Sequence, residues 1–339
     1  MREADASGPS APARNAGAEL AALTELLERV LAPVLGHSVR CQLRGPLHVR
    51  TNSRIFRAEC SGPAPGLAVK LCLDRTGGPD GRSAAEQFRS LEGVYGAMRD
   101  GPFRVPRPYA LDGERGLVVT EWVDGRPMTE LLRSARCSVA EASRLAAAAG
   151  GWLQRFHATR GLAPGPLDIG HKLGQLEGLE NSAIGPRAEV RDALAILRLR
   201  AAEAGEPMLP RSWLHGDFKS DNLLCGSDAV VGIDVNARRE NAVLYDLAPF
   251  INHLQLLGCD PRAWRWARAS GEVQRAFLAA YFDGAPTPRL PLLWMRLFLL
   301  LSVWDLMSRA WAGRGLKTRL GNYCFQRGVR RLGALLQAA

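Results

Sequence analysis

Between Trp213 and Phe250, three polar side chains recur at spacings that a loop followed by a hairpin would bring to one point. His215-Gly216-Asp217-Phe218-Lys219-Ser220-Asp221-Asn222 precedes an apolar pair and then Val230-Val231-Gly232-Ile233-Asp234. Asp217 and Asn222 lie five residues apart, and Asp234 follows Asn222 by twelve, at the end of a strand expected over Ala229 to Ile233. A chain that runs from a loop into one short strand and back along the next gathers all three side chains.

That arrangement suits phosphoryl transfer. The reaction passes through a loose transition state, so a protein serves it mainly by positioning two oxygens and neutralising charge with magnesium. A hard cation takes oxygen ligands. Asp234 offers a carboxylate, and Asn222 a carbonyl oxygen that adds no second negative charge. Asp217 is left to orient an acceptor hydroxyl and take its proton late.

The rest of the chain supplies the frame. From Ala18, Leu20, Leu23, Leu26, Leu27, Val30 and Leu31 recur at helical spacing. Short β-forming segments follow at Val39 to Leu43, Arg54 to Cys60 and Leu67 to Leu73, separated by Gly, Pro, Asn and Ser, which predicts an antiparallel meander. A helix over Ser83 to Met98, a strand over Gly116 to Val123 and a turn at Asp124 to Pro127 close this first part. Beyond it helices dominate, including Val139 to Ala158, Ala188 to Ala204 and Gly271 to Phe282. An antiparallel sheet with one helix, then a mostly helical half, predicts a bilobal α+β protein: a tail over 1–17 without fixed structure, a small N-lobe over 18–123 and a larger C-lobe over 124–339. The apolar stretch Leu290 to Met307 contains Arg296 and Asp305 and is read as a buried helix, so no transmembrane segment is expected.

With these motifs in view, the chain resembles the aminoglycoside phosphotransferase and choline kinase family, small-molecule kinases of protein-kinase-like fold. His215-Gly216-Asp217 with Asn222 looks like that family's catalytic loop, Ile233-Asp234-Val235 like its metal-binding segment, and Asp246-Leu247-Ala248 falls where the family has Asp-Leu-Ala. The resemblance implies ATP as donor, Mg2+ held by Asn222 and Asp234, and Asp217 as the catalytic base. It also places Lys70, in Leu67-Ala68-Val69-Lys70-Leu71, on the α- and β-phosphates, with Glu86 as its carboxylate partner and Glu92 as second choice. Asn52 and Ser53, in a polar turn, become phosphate contacts, the alternative being an ordinary hairpin turn. Glu121 and Val123 fall in the linker whose backbone pairs with adenine. His215 and Asp246 are read as structural support that holds the loop, and His157 as packing below the site. One departure stands out: many members carry Gly-Asp-Pro before Asp-Leu-Ala, whereas this chain has Asn241-Ala242-Val243, preceded by Arg238 and Arg239. Those arginines either face an anionic acceptor or form a solvated turn.

Composition bears on the acceptor. Twelve residues from Asp234 to Asp246 leave no room for a long segment on which a polypeptide substrate would dock. A small-molecule hydroxyl acceptor is therefore expected: a sugar, a glycan or an amino alcohol. The formal net charge is +10, and from Met128 onward 27 Lys and Arg face 19 Asp and Glu, a poor match to polycationic drugs and a better one to an anionic acceptor. A nucleotide-binding pseudokinase and an aminoglycoside-type antibiotic kinase remain as alternatives. The basic residues spread among helices with no nucleic-acid motif, so nucleic acid is not an expected partner. The basic C-terminal stretch, Arg309 to Arg331, is either a peripheral contact with an anionic bilayer or the exposed face of a helix that buries Tyr323, Phe325, Val329, Leu332 and Leu336. Seven scattered cysteines and the absence of an apolar leader indicate a cytoplasmic protein without a disulfide framework.

Overall fold

The computed structural model describes residues 11–61, 66–204, 206–237, 239–311 and 315–339. In chain order the elements are helix α1 (Ala11–Leu35) and strands β1 (Cys41–Arg50), β2 (Ser53–Cys60) and β3 (Leu67–Cys72). Helix α2 (Gly81–Met98), β4 (Phe103–Arg104), β5 (Pro108–Asp112), β6 (Leu117–Glu121) and β7 (Arg126–Pro127) follow. Then come α3 (Met128–Leu132), α4 (Val139–Ala158), β8 (Ala163–Pro166), α5 (Ile169–Glu180), α6 (Ala188–Ala204) and β9 (Met208–Trp213). The remainder is β10 (Leu223–Cys225), β11 (Val230–Gly232), β12 (Glu240–Ala242), α7 (Leu244–Leu257), α8 (Trp264–Ala267), α9 (Ser270–Phe282), α10 (Arg289–Ala310) and α11 (Leu316–Gln337).

The first of two compact units holds residues to Tyr95 and Pro106–Asp124. Its antiparallel sheet has the order β1-β2-β3-β6-β5. One face buries Phe56, Leu67, Val69, Leu117 and Val119 against Leu23, Leu27 and Leu31 of α1, each side contributing the apolar stripe its periodicity supplies. The other face meets α2, where Ala84 packs with Cys72 and Val118. The expected tail is shorter than 1–17: α1 already begins at Ala11, where the alanines at 11, 13, 16 and 18 favour helix. Residues 1–10 lie outside the described residues.

The second unit comprises Gly96–Val105 and Gly125–Ala339. The segment from Gly96 to Val105, expected in the N-lobe, belongs here because β4 pairs in parallel with β11 and Trp152 Nε1 donates to the Arg104 carbonyl at 2.8 Å. Helix α4 is started by Ser138, whose hydroxyl accepts the Glu141 N–H, and buries Leu145, Ala149, Trp152, Leu153 and Phe156. Two small sheets, β4-β11-β10-β7 and β12-β9-β8, carry the loops of interest. Helix α10 is long and apolar enough to cross a membrane by length and composition, but 61% of that stretch is buried, as a core helix should be. On α11, Phe325, Val329, Leu332 and Leu336 are buried while Tyr323 is exposed. The buried four step by four, three and four residues, and Tyr323 falls off that stripe. Trp266, Trp294 and Trp304 are core residues, whereas Trp264 is exposed.

Candidate active site

The β10–β11 hairpin sets the spacing of the motif. Leu223 pairs with Gly232 and Cys225 with Val230, and the Ile233 N–H donates to the Asn222 carbonyl at 2.9 Å. Asn222 and Asp234 thus flank the same end of the hairpin. A Cβ added at Gly232 would lie 2.0 Å from the Trp152 ring, so only glycine lets α4 press on this strand. Asp234 has φ of +58°, a left-handed conformation that costs an L-residue roughly 1–2 kcal/mol and that Asp and Asn tolerate best.

The loop ahead of the hairpin is held by one buried carboxylate. Asp246, in the first turn of α7, accepts the N–H of His215 at 2.6 Å on Oδ2 and that of Gly216 at 3.0 Å on Oδ1. His157 Nε2 lies 3.1 Å from the same Oδ2, and its Nδ1 lies 2.8 Å from the Tyr281 hydroxyl. Burial alone would push the Asp246 carboxyl up. The His157 hydrogen bond, the two imidazoles and the Gly216 N–H outweigh it and hold the group below its ordinary value. Gly216 turns the chain at φ +85°, where an added Cβ would come within 3.2 Å of the Asn236 carbonyl.

His215 is fully buried among Trp152, Phe156 and Phe218. Its Nε2 lies 3.2 Å from the Ile233 carbonyl and its Nδ1 3.4 Å from the Asp217 N–H. Burial holds the imidazole below its usual pKa although Asp246, Asp217 and Asp234 pull the other way. A neutral ring that donates through Nε2 and accepts through Nδ1 satisfies both contacts, and leaves no nitrogen for proton transfer to a substrate.

Asp217 is different, since its side chain is 46% exposed. Lys219 Nζ donates to Oδ2 at 2.6 Å, and Asn222 Nδ2 donates to the same oxygen at 3.1 Å and to the Asp217 carbonyl at 2.9 Å. Oδ1 accepts no hydrogen bond from the described residues. Because Asn222 spends its amide nitrogen on Asp217, its own Oδ1 is left without a hydrogen bond among the described residues. Beneath the loop, Ser220 Oγ lies 2.5 Å from Thr129 Oγ1 and 2.7 Å from His253 Nε2. Burial pushes His253 down to about 4, helped by Arg133 and Lys219 and opposed by Asp221.

Among the described residues no three His, Cys, Asp or Glu side chains gather as a metal cluster. The donors at the hairpin end are the Asp234 carboxylate and the Asn222 amide oxygen, which accepts no hydrogen bond from the described residues. That set fits a hard cation that completes its shell with phosphate and water oxygens.

The other expected residues lie in the first unit. Lys70 pairs in register with Ile55 and Val118 and shares its sheet face with Cys72, the face that α2 covers. Glu86 is half-buried and accepts Arg82 Nε at 3.0 Å, whereas Glu92 is exposed. Asn52 stands in the tight turn between β1 and β2, its carbonyl accepting the Leu73 N–H, and Ser53 is buried beside it. The Glu121 carboxylate accepts the Arg107 N–H at 3.1 Å. The Val123 backbone makes no backbone hydrogen bond among the described residues.

The model of the phosphotransferase enzyme family matches residues 78–292, well over half of the chain. The chain belongs to that family. The phosphotransferase is therefore a small-molecule kinase with a hydroxyl acceptor, and the matched span contains all five of His215, Asp217, Asn222, Asp234 and Asp246. Lys70, Asn52 and Ser53 precede it. No curated protein matches the sequence. Among solved structures, a choline/ethanolamine kinase family protein from Mesorhizobium loti is 16% identical, with a TM-score of 0.57 over 96% of this chain and 99% of its own. A macrolide 2′-phosphotransferase from Brachybacterium faecium is also 16% identical, with a TM-score of 0.57 over 94% of this chain and 97% of its own. A spectinomycin phosphotransferase in complex with ADP and spectinomycin is 12% identical, with a TM-score of 0.55 over 94% and 98%. At these identities the likeness concerns the fold, bilobal and protein-kinase-like.

Sequence reasoning left the support beneath the loop unread. Lys219 sat inside the motif without a role, and Ser220, Thr129 and His253 form a contact across three separate elements that no spacing announces. Arg238, named with Arg239, lies outside the described residues.

Proposed function

We propose that the phosphotransferase moves the γ-phosphate of Mg-ATP to a hydroxyl of a sugar, glycan or amino alcohol in the cytoplasm, with Asp217 as the group that receives the acceptor's proton. One observation carries this reading. Asp217 is a half-exposed carboxylate with Oδ2 tied to Lys219 and Asn222 and Oδ1 open. A carboxylate held in this way has its rotamer fixed and one lone-pair direction left for an incoming hydroxyl. Lys219 and Asn222 orient that carboxylate, and Asp246 with His215 and His157 orients the backbone that bears it.

Asn222 Oδ1 and the Asp234 carboxylate are the groups that would hold magnesium, whose contribution when bound is to neutralise charge on the phosphates. The left-handed backbone at Asp234 is a cost that a purely structural residue would not repay. In the first unit, Lys70 with Glu86 is proposed for the α- and β-phosphates, Asn52 and Ser53 for the phosphate-covering turn, and the backbone from Glu121 to Val123 for the adenine edge. The Val123 backbone, without a backbone hydrogen bond among the described residues, supports that last role, and the ADP bound by the similar spectinomycin phosphotransferase supports an adenine nucleotide as donor.

The test is transfer of labelled γ-phosphate from Mg-ATP to a panel of sugars, amino alcohols, aminoglycosides and cell-extract metabolites, with Asp217→Asn alongside. Labelled product from the wild type and none from Asp217→Asn, with nucleotide affinity retained in the variant, is the expected result. Equal transfer by Asp217→Asn would remove the proposed role of Asp217. Nucleotide binding without any labelled product would favour a pseudokinase.

A further inference from the structure

The segment that follows Asp234 carries an arrangement that phosphoryl transfer itself leaves unused. It runs alongside the residues leading into Asp217: the Asn236 N–H donates to the His215 carbonyl at 3.0 Å, and the Leu214 N–H to the Arg239 carbonyl at 3.1 Å. Tyr245 opens α7 one residue before the brace Asp246. Lys172 stands in the first turn of α5, which Asp168 caps by accepting the His171 N–H at 2.7 Å.

Two cationic side chains meet on the Tyr245 ring. Lys172 Nζ lies 5.3 Å from the centre of the Tyr245 ring, and the Arg239 guanidinium carbon 5.6 Å from the same centre. Lys172 Nζ is also 5.5 Å from the ring of Phe298 in α10. Each cation gains from an aromatic face, but two cations on one ring repel each other. Neither has an ion pair among the described residues. Lys172 has only a contact with Gln175 Oε1 at 3.2 Å. The remaining charges around Tyr245 are accounted for, with Arg211 Nε 3.8 Å from Glu240 Oε1 and Asp168 engaged as the cap.

Two features make this a standing imbalance. Lys172 sits at the N-terminal end of a helix, where the dipole disfavours a cation. Burial and then Arg239 hold its ammonium below the usual lysine pKa, against a weaker pull from Asp168. A folded chain that places two unpaired positive charges together on a half-buried ring leaves a place an anion would stabilise. The Tyr245 hydroxyl, which has no hydrogen bond among the described residues and which burial keeps protonated, supplies a third donor.

We infer that Lys172 and Arg239, set on the Tyr245 ring, form a subsite for a phosphate monoester carried by the acceptor, so that the enzyme phosphorylates a hydroxyl of an already phosphorylated small molecule. The inference rests on Asp217 being the group that receives that hydroxyl. A phosphate monoester carries about −1.5 to −2 at neutral pH and offers three acceptor oxygens, matching two cations where a single carboxylate would leave one uncompensated. The slot between Tyr245 and Phe298 already holds the Lys172 ammonium, so a polycationic or quaternary-amine acceptor would meet like charge there.

The probe is inorganic phosphate, titrated into the full-length protein by calorimetry at constant ionic strength. The wild type should bind it saturably, and Arg239→Gln and Lys172→Gln should each weaken that binding at least about tenfold, the scale of one charge-assisted contact. Lys172→Arg should restore it. Arg239 is exposed, so its variant keeps the fold and decides the matter if the half-buried Lys172→Gln does not. Absence of saturable binding in the wild type, or equal affinity in Arg239→Gln, overturns the inference. In the transfer assay, phosphorylated sugars and polyols are set against their unphosphorylated parents. Label on the phosphorylated member supports the subsite, and label confined to neutral or cationic acceptors overturns it. Mg-ATP binding by the wild type is measured separately, and its loss would count against the kinase reading while the phosphate titration still judges the subsite.

Discussion

Asp246→Asn keeps the shape of the brace and removes its charge. In the wild type the carboxylate meets three donors at 2.6, 3.0 and 3.1 Å, those of His215 and His157 buried and that of Gly216 partly so. An asparagine presents one oxygen and one NH2, so at least one of these N–H groups is left facing another donor, at a cost of about 1–3 kcal/mol. The surviving bonds also lose charge assistance, which roughly halves their strength. Together these give a loss of about 3 kcal/mol, which a domain of about 5–15 kcal/mol tolerates. The variant should fold, with turnover down about ten- to a hundredfold because Gly216 no longer fixes the backbone before Asp217.

Urea unfolding and steady-state kinetics on the same preparations read both effects. His157→Gln and the double variant complete a cycle, in which the shared bond should make the double loss smaller than the sum by about 1 kcal/mol. The sign of the pH dependence follows from a carboxyl held below its ordinary value. Its stabilisation is fully present above the ordinary carboxylate range and is lost as the pH falls through the lowered value, a limb that Asp246→Asn should lack. A variant within about 0.5 kcal/mol of the wild type, with unchanged turnover, would refute the brace.

His253 titrates in the opposite sense from a stabilising histidine. Held at about 4 when folded, against about 6.5 unfolded, it leaves stability intact above about pH 6.5, and the unfolded chain gains protons first as the pH falls toward 4. Linkage bounds the loss at about 3 kcal/mol. Urea midpoints between pH 7 and 4 should show that slope, flattened in His253→Gln; an unchanged slope would mean the ring protonates in place. Gly232→Ala would drive a methyl 2.0 Å from the Trp152 ring, and because the obstacle is the body of a buried indole, a loss of roughly 3 kcal/mol or more is expected in thermal unfolding. Destabilisation under about 1 kcal/mol would mean that α4 retreats freely from the hairpin. Asp234→Asn should weaken magnesium-dependent ATP binding while leaving metal-free nucleotide affinity alone, and equal weakening in both titrations would argue against a ligand role.

Where periodicity was strong, the sequence was legible. Helices α4 and α6 fall on the expected residues because their apolar stripes are long and capped or bounded by turn formers. The loop and hairpin could be read because phosphoryl transfer constrains residue type and spacing within one short stretch, and the brace because Asp246-Leu247-Ala248 resembles a family motif. Strand β8 could not. Its residues, Ala-Pro-Gly-Pro, are those of a loop, and they are strand only because an edge position pairs with β9 on one side. Helix α5 was likewise hidden, its short apolar pattern interrupted by Gly170, Gly174 and Gly178. Lys172, Arg239 and Tyr245 come from separate elements, and nothing in their spacing predicts that two cations share one ring. Across β1 and β2, Cys41 and Cys60 stand opposite with sulfurs 2.7 Å apart, a pairing that scattered cysteines did not suggest.

The contact between Trp152 and Gly232 also bears on how such a protein diversifies. With no side chain between helix and strand, the hairpin bearing Asn222 and Asp234 is seated directly on α4, and the same indole stacks on Phe156 and Phe218. Lys172, Arg239 and Tyr245 are not among the rings that meet this indole, which are Phe156, His215 and Phe218. If the proposed subsite sets the acceptor, its preference can change through those three residues while the hairpin keeps its seat, and descendants of one chain can come to act on molecules of opposite charge.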